Sequence, residues 1–186
     1  MSTDQKSHVC PAENAGWLTS SVRKLANNPR RILRGLVSQG DTAVDLGAGP
    51  GFFSLPLAEM VGETGRVIAV DVQEEMLAQL RIRAEKAGLA SRIQLHHSSS
   101  DAIGVADRAD FALAFYMLHE VPRKDSFLME VHGILREGGR FLLVEPVGHV
   151  SKAQFAQTVE LAKQVGFVPV AEPRVAFSRA TLFSRP

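Results

Sequence analysis

The chain has 186 residues and a formal net charge of +1, so its overall charge points neither to nucleic acid nor to a membrane surface. Its hydrophobic fraction of 45% and charged fraction of 22% are typical of a globular protein, and its length predicts one domain with a substantial core. The single cysteine, Cys10, excludes an intrachain disulfide, and residues 1–20 contain no apolar core of a signal peptide. We therefore expect a cytoplasmic protein without a transmembrane segment.

Strands and helices alternate along the chain after an N-terminal extension. Asn28 and Pro29 predict the start of a helix that runs to Ser38 and ends before Gly40, because Asn caps helices and Pro suits their first turn. The predicted strands are Thr42–Leu46, Arg66–Asp71, Arg92–His97, Ala109–Phe115, Arg140–Glu145, Phe167–Ala171 and Arg174–Phe183. The predicted helices between them are Phe52–Val61, Glu74–Ala87, Lys124–Arg136 and Lys152–Val165.

This alternation predicts a parallel sheet with right-handed crossovers. The last two strands have no helix between them, so one of them must run antiparallel. We expect residues 1–40 to form a helical extension beside a domain of residues 41–186. Open α/β sheets bind ligands outside the carboxyl ends of their strands, where the strand order reverses. The chemistry is therefore expected in the loops that follow Leu46, Asp71, His97 and Phe115.

The loop Gly47–Gly51 is the most informative segment, because three glycines at alternate positions follow an apolar strand. Glycine is needed where the backbone adopts a positive φ or where a ligand must touch the main chain. The next strand ends on Asp71, and a carboxylate there can accept both hydroxyls of a ribose. A dinucleotide fingerprint requires a glycine where this chain has Phe52. The glycine loop and Asp71 together predict a site for a nucleoside cofactor that has no diphosphate. Asp45, at the end of the preceding strand, suits a cofactor that carries positive charge.

The chain resembles the class I S-adenosylmethionine-dependent methyltransferases in the run Val44-Asp45-Leu46-Gly47-Ala48-Gly49-Pro50-Gly51 and in the acid that closes the next strand. The resemblance implies a Rossmann-like, doubly wound, seven-stranded mixed sheet in the order 3-2-1-4-5-7-6, with one antiparallel strand and an N-terminal helical lid. It implies S-adenosylmethionine as cofactor and S-adenosylhomocysteine as product. The cofactor-binding residues that it implies are Asp45, Gly47, Ala48, Gly49, Gly51, Asp71, Val72, Ser100, Asp101, Ala102 and Phe115.

The segment after the fourth strand narrows the resemblance. Leu118-His119-Glu120 resembles the fourth motif of the small-molecule, methyltransferase type 11-like group. His119 is the candidate catalytic residue, because an imidazole can accept a proton near neutral pH, although capping of the next helix is the alternative. For Phe115 and Leu118 the alternative is core packing, and for Glu145 it is a structural hydrogen bond. The expected substrate-side residues are Trp17, Met117, Leu118 and Glu145.

These motifs predict methyl transfer to a small molecule by in-line displacement, without a metal. Three alternatives stay open: a methyltransferase of RNA or protein, a cofactor-binding subunit without its own catalysis, and a dehydrogenase, which Phe52 disfavours. His8 and Cys10 are too few ligands to close a metal site. The sequence predicts neither the acceptor atom nor the oligomeric state. The RNA alternative rests on a basic cluster formed by Arg23, Lys24, Arg30, Arg31 and Arg34.

Overall fold

The computed structural model describes residues 27–186, which contain one seven-stranded sheet in the order β3-β2-β1-β4-β5-β7-β6. The strands are β1 (Thr42–Leu46), β2 (Arg66–Asp71), β3 (Ile93–His97), β4 (Ala109–Phe115), β5 (Leu135–Pro146), β6 (Val168–Ala171) and β7 (Ser178–Ser184). The α-helices are α1 (Pro29–Ile32), α2 (Ser54–Val61), α3 (Glu74–Lys86), α4 (Lys124–Ile134) and α5 (Lys152–Val165). Short 3-10 turns lie at Ala90–Arg92 and Leu118–Glu120.

The sheet is parallel from β3 to β5, and β7 pairs antiparallel with both β5 and β6. Only residues 172–177 connect β6 to β7, and a connection of that length allows a hairpin but no crossover helix. The predicted fold class, strand order and antiparallel strand are therefore confirmed. The order reverses between β1 and β4, so the crevice at the switch point opens beside Leu46 and Phe115.

Apolar side chains cover both faces of the sheet. Successive residues of β2 alternate between the two cores, with Val67 on the face of α2 and α3 and Ile68 on the face of α4 and α5. Helices cover the central strands on both faces, and every residue of β1 is buried. This rigid three-layer core fixes the carboxyl edge of the sheet, where the site lies.

The first helix is much shorter than predicted. Asn28 caps α1 as expected, because its side chain accepts a hydrogen bond from the backbone N–H of Arg31. The helix ends at Ile32, and the chain turns at Gly35, whose φ of +73° is left-handed. The prediction that the helix extends to Ser38 was therefore wrong, since it took Gly40 rather than Gly35 as the breaker.

The fifth strand begins earlier than the predicted Arg140. Leu135 already pairs with Ala109, and the register then shifts so that Arg140 pairs with Phe111. Residues 136–139 form the irregularity, at the glycine pair that was predicted to turn the chain. The bulge lies at the edge opposite the switch point, and it leaves the pairing of β4 with β5 regular up to Phe115.

The N-terminal lid and several predicted residues lie outside the described part of the chain. These are Trp17, the His8 and Cys10 pair, and Arg23 and Lys24 of the basic cluster. The division of the chain at residue 40 stays a prediction. No helix within residues 27–186 is long and apolar enough to cross a membrane.

Candidate active site

The loop Gly47–Gly51 closes tightly onto the second strand. The backbone N–H groups of Gly47 and Ala48 both donate to the carbonyl of Val70 at 2.9 Å. Gly47, Gly49 and Gly51 have φ values of +70°, +52° and +90°. Because L side chains rarely adopt this region, the alternate glycines are what allow the chain to turn here.

The three glycines face different surroundings. A Cβ on Gly51 would lie 2.3 Å from Cδ1 of Leu80, so this glycine lets α3 pack against the loop. A Cβ on Gly47 would lie 3.0 Å from the side chain of Met117, whereas a Cβ on Gly49 would meet nothing within 4 Å. Gly49 therefore presents bare main chain to open space, which is the surface that a ligand can approach closely.

Asp71 is fixed beside that open space. It is only 7% exposed, its Oδ2 accepts the N–H of Gly49 at 2.7 Å, and its Oδ1 accepts the N–H of Gln73 at 2.9 Å. Burial raises the pKa of Asp71 above the usual value, and the backbone hydrogen bonds oppose that shift. Each carboxylate oxygen has a second lone pair, so the group can still accept ligand hydroxyls.

Asp45 lies beneath the glycine loop. It is 2% exposed, and its Oδ2 accepts a hydrogen bond from the hydroxyl of Ser54 at 2.6 Å. Ser54 is the first residue of α2, so the contact attaches this helix to the end of β1. Nearby, Phe115 is buried against Phe53, with ring centroids 4.4 Å apart. Phe115 therefore packs in the core, and its contact with the cofactor stays a prediction.

The loop after β3 carries the predicted adenine-side residues. Ser100, Asp101 and Ala102 are exposed there, as is Val72 after β2. The loop is held from beneath by Glu130 of α4, whose Oε2 accepts the N–H groups of Ile103 at 2.8 Å and Gly104 at 3.2 Å. Sequence reasoning missed Glu130, because an acid within an amphipathic helix carries no signal of its own.

His119 and Glu145 form a hydrogen-bonded pair at the same edge. The backbone N–H of His119 donates to Oε1 of Glu145 at 2.9 Å, and Nδ1 of its ring lies 2.6 Å from Oε2. Glu145 is only 2% exposed, at the end of β5, and that strand pairs with β4, from which the His119 turn emerges. The fold thus brings together two residues that the sequence had placed separately on the substrate side.

This pair defines the electrostatics of the imidazole. Its hydrogen bond to Glu145 raises the pKa of His119, and the charges of Glu145 and Glu120 act in the same direction. Partial burial and the charge of Lys124 oppose the shift. Because the carboxylate of Glu145 accepts a hydrogen bond from Nδ1–H, the neutral ring keeps its lone pair on Nε2, which lies 3.9 Å from Oε1 of Glu120.

Tyr116 is a site residue to which the sequence assigned no role. Its φ of +61° is rare for an aromatic residue, and its backbone N–H donates to the carbonyl of Val144 at 2.8 Å. The phenol oxygen lies 2.5 Å from Oγ of Ser178 and accepts a hydrogen bond from Nδ2 of Asn27 at 3.3 Å. Of the next two residues, Leu118 is buried in the core and Met117 is half-buried below Gly47.

Residues 27–186 contain no group of three or more His, Cys, Asp or Glu side chains that could hold a metal ion.

Residues 37–171 match the sequence model of a family described as "Methyltransferase domain". The chain belongs to this methyltransferase family. The match covers the glycine loop, Asp71 and the His119–Glu145 pair, and it confirms the predicted class I S-adenosylmethionine-dependent methyltransferase.

Curated relatives of this methyltransferase include ubiquinone/menaquinone biosynthesis C-methyltransferases. UbiE of Klebsiella pneumoniae subsp. pneumoniae is 29% identical over 135 residues, which cover 70% of this chain and 54% of that protein. UbiE of Escherichia fergusonii is 28% identical over the same length and shares. The chain spans about half the length of the curated relatives it matches.

Solved structures share its fold. A SAM dependent methyltransferase from Aquifex aeolicus has a TM-score of 0.86 at 22% identity, over 96% of this chain and 100% of that one. A TehB-like SAM-dependent methyltransferase from Corynebacterium glutamicum has a TM-score of 0.73 at 13% identity, over 95% and 100%. The [4+2]-cyclase SpnF has a TM-score of 0.68 at 19% identity, over 83% and 61%. Because the last of these is named for different chemistry, the acceptor reaction must be argued from the site.

Proposed function

We propose that this chain transfers a methyl group from S-adenosylmethionine to a small-molecule acceptor, with His119 as the general base. The observation that carries the proposal is the His119–Glu145 pair, which lies at the same sheet edge as the glycine loop and Asp71. One half of the crevice thus offers a nucleoside site, and the other half offers an oriented imidazole.

The residues of the nucleoside half fit the cofactor. The carboxylate of Asp71 would accept the ribose hydroxyls, the open face of Gly49 leaves room for close approach, and exposed Asp101 would accept the adenine amino group. No phosphate has to be placed, which suits a loop with the carboxylate of Asp45 beneath it. When bound, S-adenosylmethionine supplies an electrophilic methyl group on a positively charged sulfur.

His119 would prepare the acceptor. Its Nε2 takes a proton from an O–H or an acidic C–H of the acceptor, and the bonding electron pair stays on the acceptor as the nucleophile. The positive charge on the ring is then balanced by buried Glu145 at 2.6 Å and by Glu120 at 3.9 Å. A positioned base of this kind contributes about 10²–10⁴-fold in rate. The curated relatives are named as C-methyltransferases, and a carbon nucleophile made by proton removal fits this arrangement.

The short loops favour a small acceptor. Residues 147–151 alone connect β5 to α5, and residues 172–177 alone connect β6 to β7. Neither connection adds a domain beside Glu145 that could hold a macromolecule. These loops and Tyr116 would then contribute to specificity for the acceptor.

The first test is thermal unfolding with S-adenosylhomocysteine, S-adenosylmethionine or NAD. A ligand at about 100 times its dissociation constant adds about 2.7 kcal/mol to the free energy of unfolding, which is several degrees for a chain of this size. We expect a shift with both sulfur nucleosides and none with NAD. A shift with NAD alone would contradict the assignment of the cofactor.

The second test is transfer of an isotope-labelled methyl group to phenols, enolisable dicarbonyls, amines and thiols, followed by mass spectrometry. We expect methylated product from acceptors that must lose a proton before they can attack. With these acceptors, His119→Gln should lower the rate of methyl transfer by about 10²–10⁴-fold while the affinity for the cofactor stays unchanged. Equal rates for His119→Gln and the wild type with all acceptors would show that His119 is not the base.

A further inference from the structure

A cavity lies beside Tyr116, on the acceptor half of the site that also contains His119 and Glu145. It has a volume of about 270 Å³ and lies between the N-terminal residues of the described chain and the connection from β6 to β7. Asn27 and Arg31 line one wall, and Arg174 and Ala176 line the other. Neither the glycine loop nor Asp71 contributes to it, so it is separate from the nucleoside site.

Two arginines of the cavity wall have no acidic partner among residues 27–186. Arg31 and Arg174 are both exposed, and within residues 27–186 neither forms an ion pair, and no acidic side chain lines the walls. The neighbouring Arg30 differs, because it pairs with Glu59 on α2. The fold therefore divides the basic cluster of the sequence and joins one of its members to an arginine far along the chain.

Hydrogen bonds connect the cavity wall to the acceptor side. Nδ2 of Asn27 donates to the phenol of Tyr116 at 3.3 Å, and the phenol lies 2.5 Å from Oγ of Ser178. Ser178 in turn donates to the carbonyl of Ala176 at 2.9 Å, on the opposite wall. Tyr116 follows directly after β4 and precedes the turn that holds His119. A ligand that is anchored in the cavity would thus lie beside Tyr116, three residues before His119.

We propose that this cavity binds an anionic group, a carboxylate or a phosphate, at one end of the methyl acceptor. Guanidinium groups bind both anions through paired hydrogen bonds, and two of them line this cavity, to which the described chain contributes no acidic side chain. The volume of about 270 Å³ is below the roughly 300–1,000 Å³ of pockets that enclose a whole ligand, so it suits one end of a molecule. This assignment rests on the proposed function, and it adds the substrate class.

The test is calorimetric titration of the full chain with phenyl phosphate, with benzoate and with uncharged benzyl alcohol. We expect saturable binding of at least one of the two anions, weakened by added salt, and none of the alcohol. Arg31→Gln and Arg174→Gln should each weaken that binding at least about tenfold, because each removes charged hydrogen bonds. The stronger of the two anions identifies which group the acceptor carries.

Arg34→Gln is the matched control. Arg34 is exposed, lies three residues after Arg31 and does not line the cavity, so its loss should change anion affinity less than about twofold. Absence of saturable anion binding, or equal weakening in Arg34→Gln, would overturn the proposal. Tighter binding of a single-stranded RNA than of phenyl phosphate, if that binding is lost in Arg31→Gln and Arg174→Gln, would also overturn the proposal. The surface would then bind nucleic acid.

Titration with S-adenosylhomocysteine separates the two proposals. The arginine variants should keep the cofactor affinity of the wild type, since neither Asp71 nor the glycine loop lines the cavity. A chain that binds phenyl phosphate but no sulfur nucleoside would contradict the proposed function and leave the anion cavity standing. Binding of S-adenosylhomocysteine without binding of either anion would contradict the anion cavity and leave the proposed function standing.

Discussion

The two halves of the crevice are built in different ways. The nucleoside half consists of the Gly47–Gly51 loop, Asp71 and the loop after β3. Its contacts are donated by backbone N–H groups, such as the 2.7 Å bond from Gly49 to the carboxylate of Asp71, 22 residues apart. The acceptor half, which consists of Tyr116, His119, Glu145 and the arginine-lined cavity, is held by side chains. Its contacts reach from Tyr116 to Ser178, 62 residues apart, and to Asn27, 89 residues apart.

The difference teaches which part of the site is constant in its chemistry and which part can vary. A main-chain cradle depends on backbone conformation and on a few glycines, so it binds one ligand shape. A pocket of side chains from distant strands can change its acceptor through single substitutions while the sheet stays intact. Substitutions in the nucleoside half should therefore abolish cofactor binding, and those in the acceptor half should change the rate, the pH dependence or the acceptor.

The largest effect is expected for Asp71→Ala. The change would remove the acceptor that we propose for two ribose hydroxyls. Hydrogen bonds to a charged group are worth about 1.5–3 kcal/mol each, so binding should weaken by roughly 3–6 kcal/mol. Titration with S-adenosylhomocysteine measures this loss. Asp107→Ala is the control, because Asp107 pairs with Arg66 at the opposite edge of the sheet, and it should bind as the wild type does. Equal affinity of Asp71→Ala and Asp107→Ala would contradict the assignment.

The next effect concerns the pH dependence of turnover. A general base must be neutral, so kcat/KM should rise with pH through the pKa of His119, which Glu145 raises above 6.5. Glu145→Gln removes the charge that raises this pKa, so the rise should move to lower pH, with a lower plateau because the ring loses its orientation. His119→Gln should abolish the rise and lower the rate by about 10²–10⁴-fold. An unchanged profile in Glu145→Gln would show that another group titrates.

A smaller effect separates two glycines of one loop. Gly51→Ala combines a left-handed backbone, about 1–2 kcal/mol, with a Cβ that would lie 2.3 Å from Leu80, which adds about 1–3 kcal/mol of overpacking. Gly49→Ala has only the backbone term, because its Cβ would face open space. Urea unfolding should rank Gly51→Ala as the less stable variant. Gly49→Ala should instead lose affinity for S-adenosylhomocysteine out of proportion to its loss of stability, and the reverse ranking would exclude these roles.

The same contrast explains what the sequence could predict. The alternation of strand and helix, the glycine spacing and the acid at the end of β2 are local patterns, and the structure has the predicted sheet with this loop at its switch point. Helix α1 was predicted too long because Gly35, inside a helical pattern, turned out to be left-handed. Glu130 and Tyr116 were missed because their roles depend on partners that only the folded sheet brings near.

The His119–Glu145 pair lies between these cases. Each residue was predicted on the substrate side from its place after a strand, but their hydrogen bond required that β4 and β5 be neighbours in register, with Phe115 opposite Val144. Arg31 and Arg174 show the limit more clearly. No local pattern connects residues at opposite ends of the described chain, and only the return of β7 beside β5 brings the connection before it to the N-terminal segment.

The smallest effect tests whether the acceptor half is coupled through Tyr116. Tyr116→Phe removes the phenol that bonds to Ser178 and accepts from Asn27, and Ser178→Ala removes one of those partners. A net hydrogen bond is worth about 0.5–1.5 kcal/mol, so a double-mutant cycle by urea unfolding should give a coupling of that size. Because the chain of hydrogen bonds ends on the carbonyl of Ala176 in the cavity wall, both variants should also bind phenyl phosphate more weakly than the wild type. Additive unfolding energies would mean that the bond between Tyr116 and Ser178 does not couple the two residues, and that the cavity and the base are positioned independently.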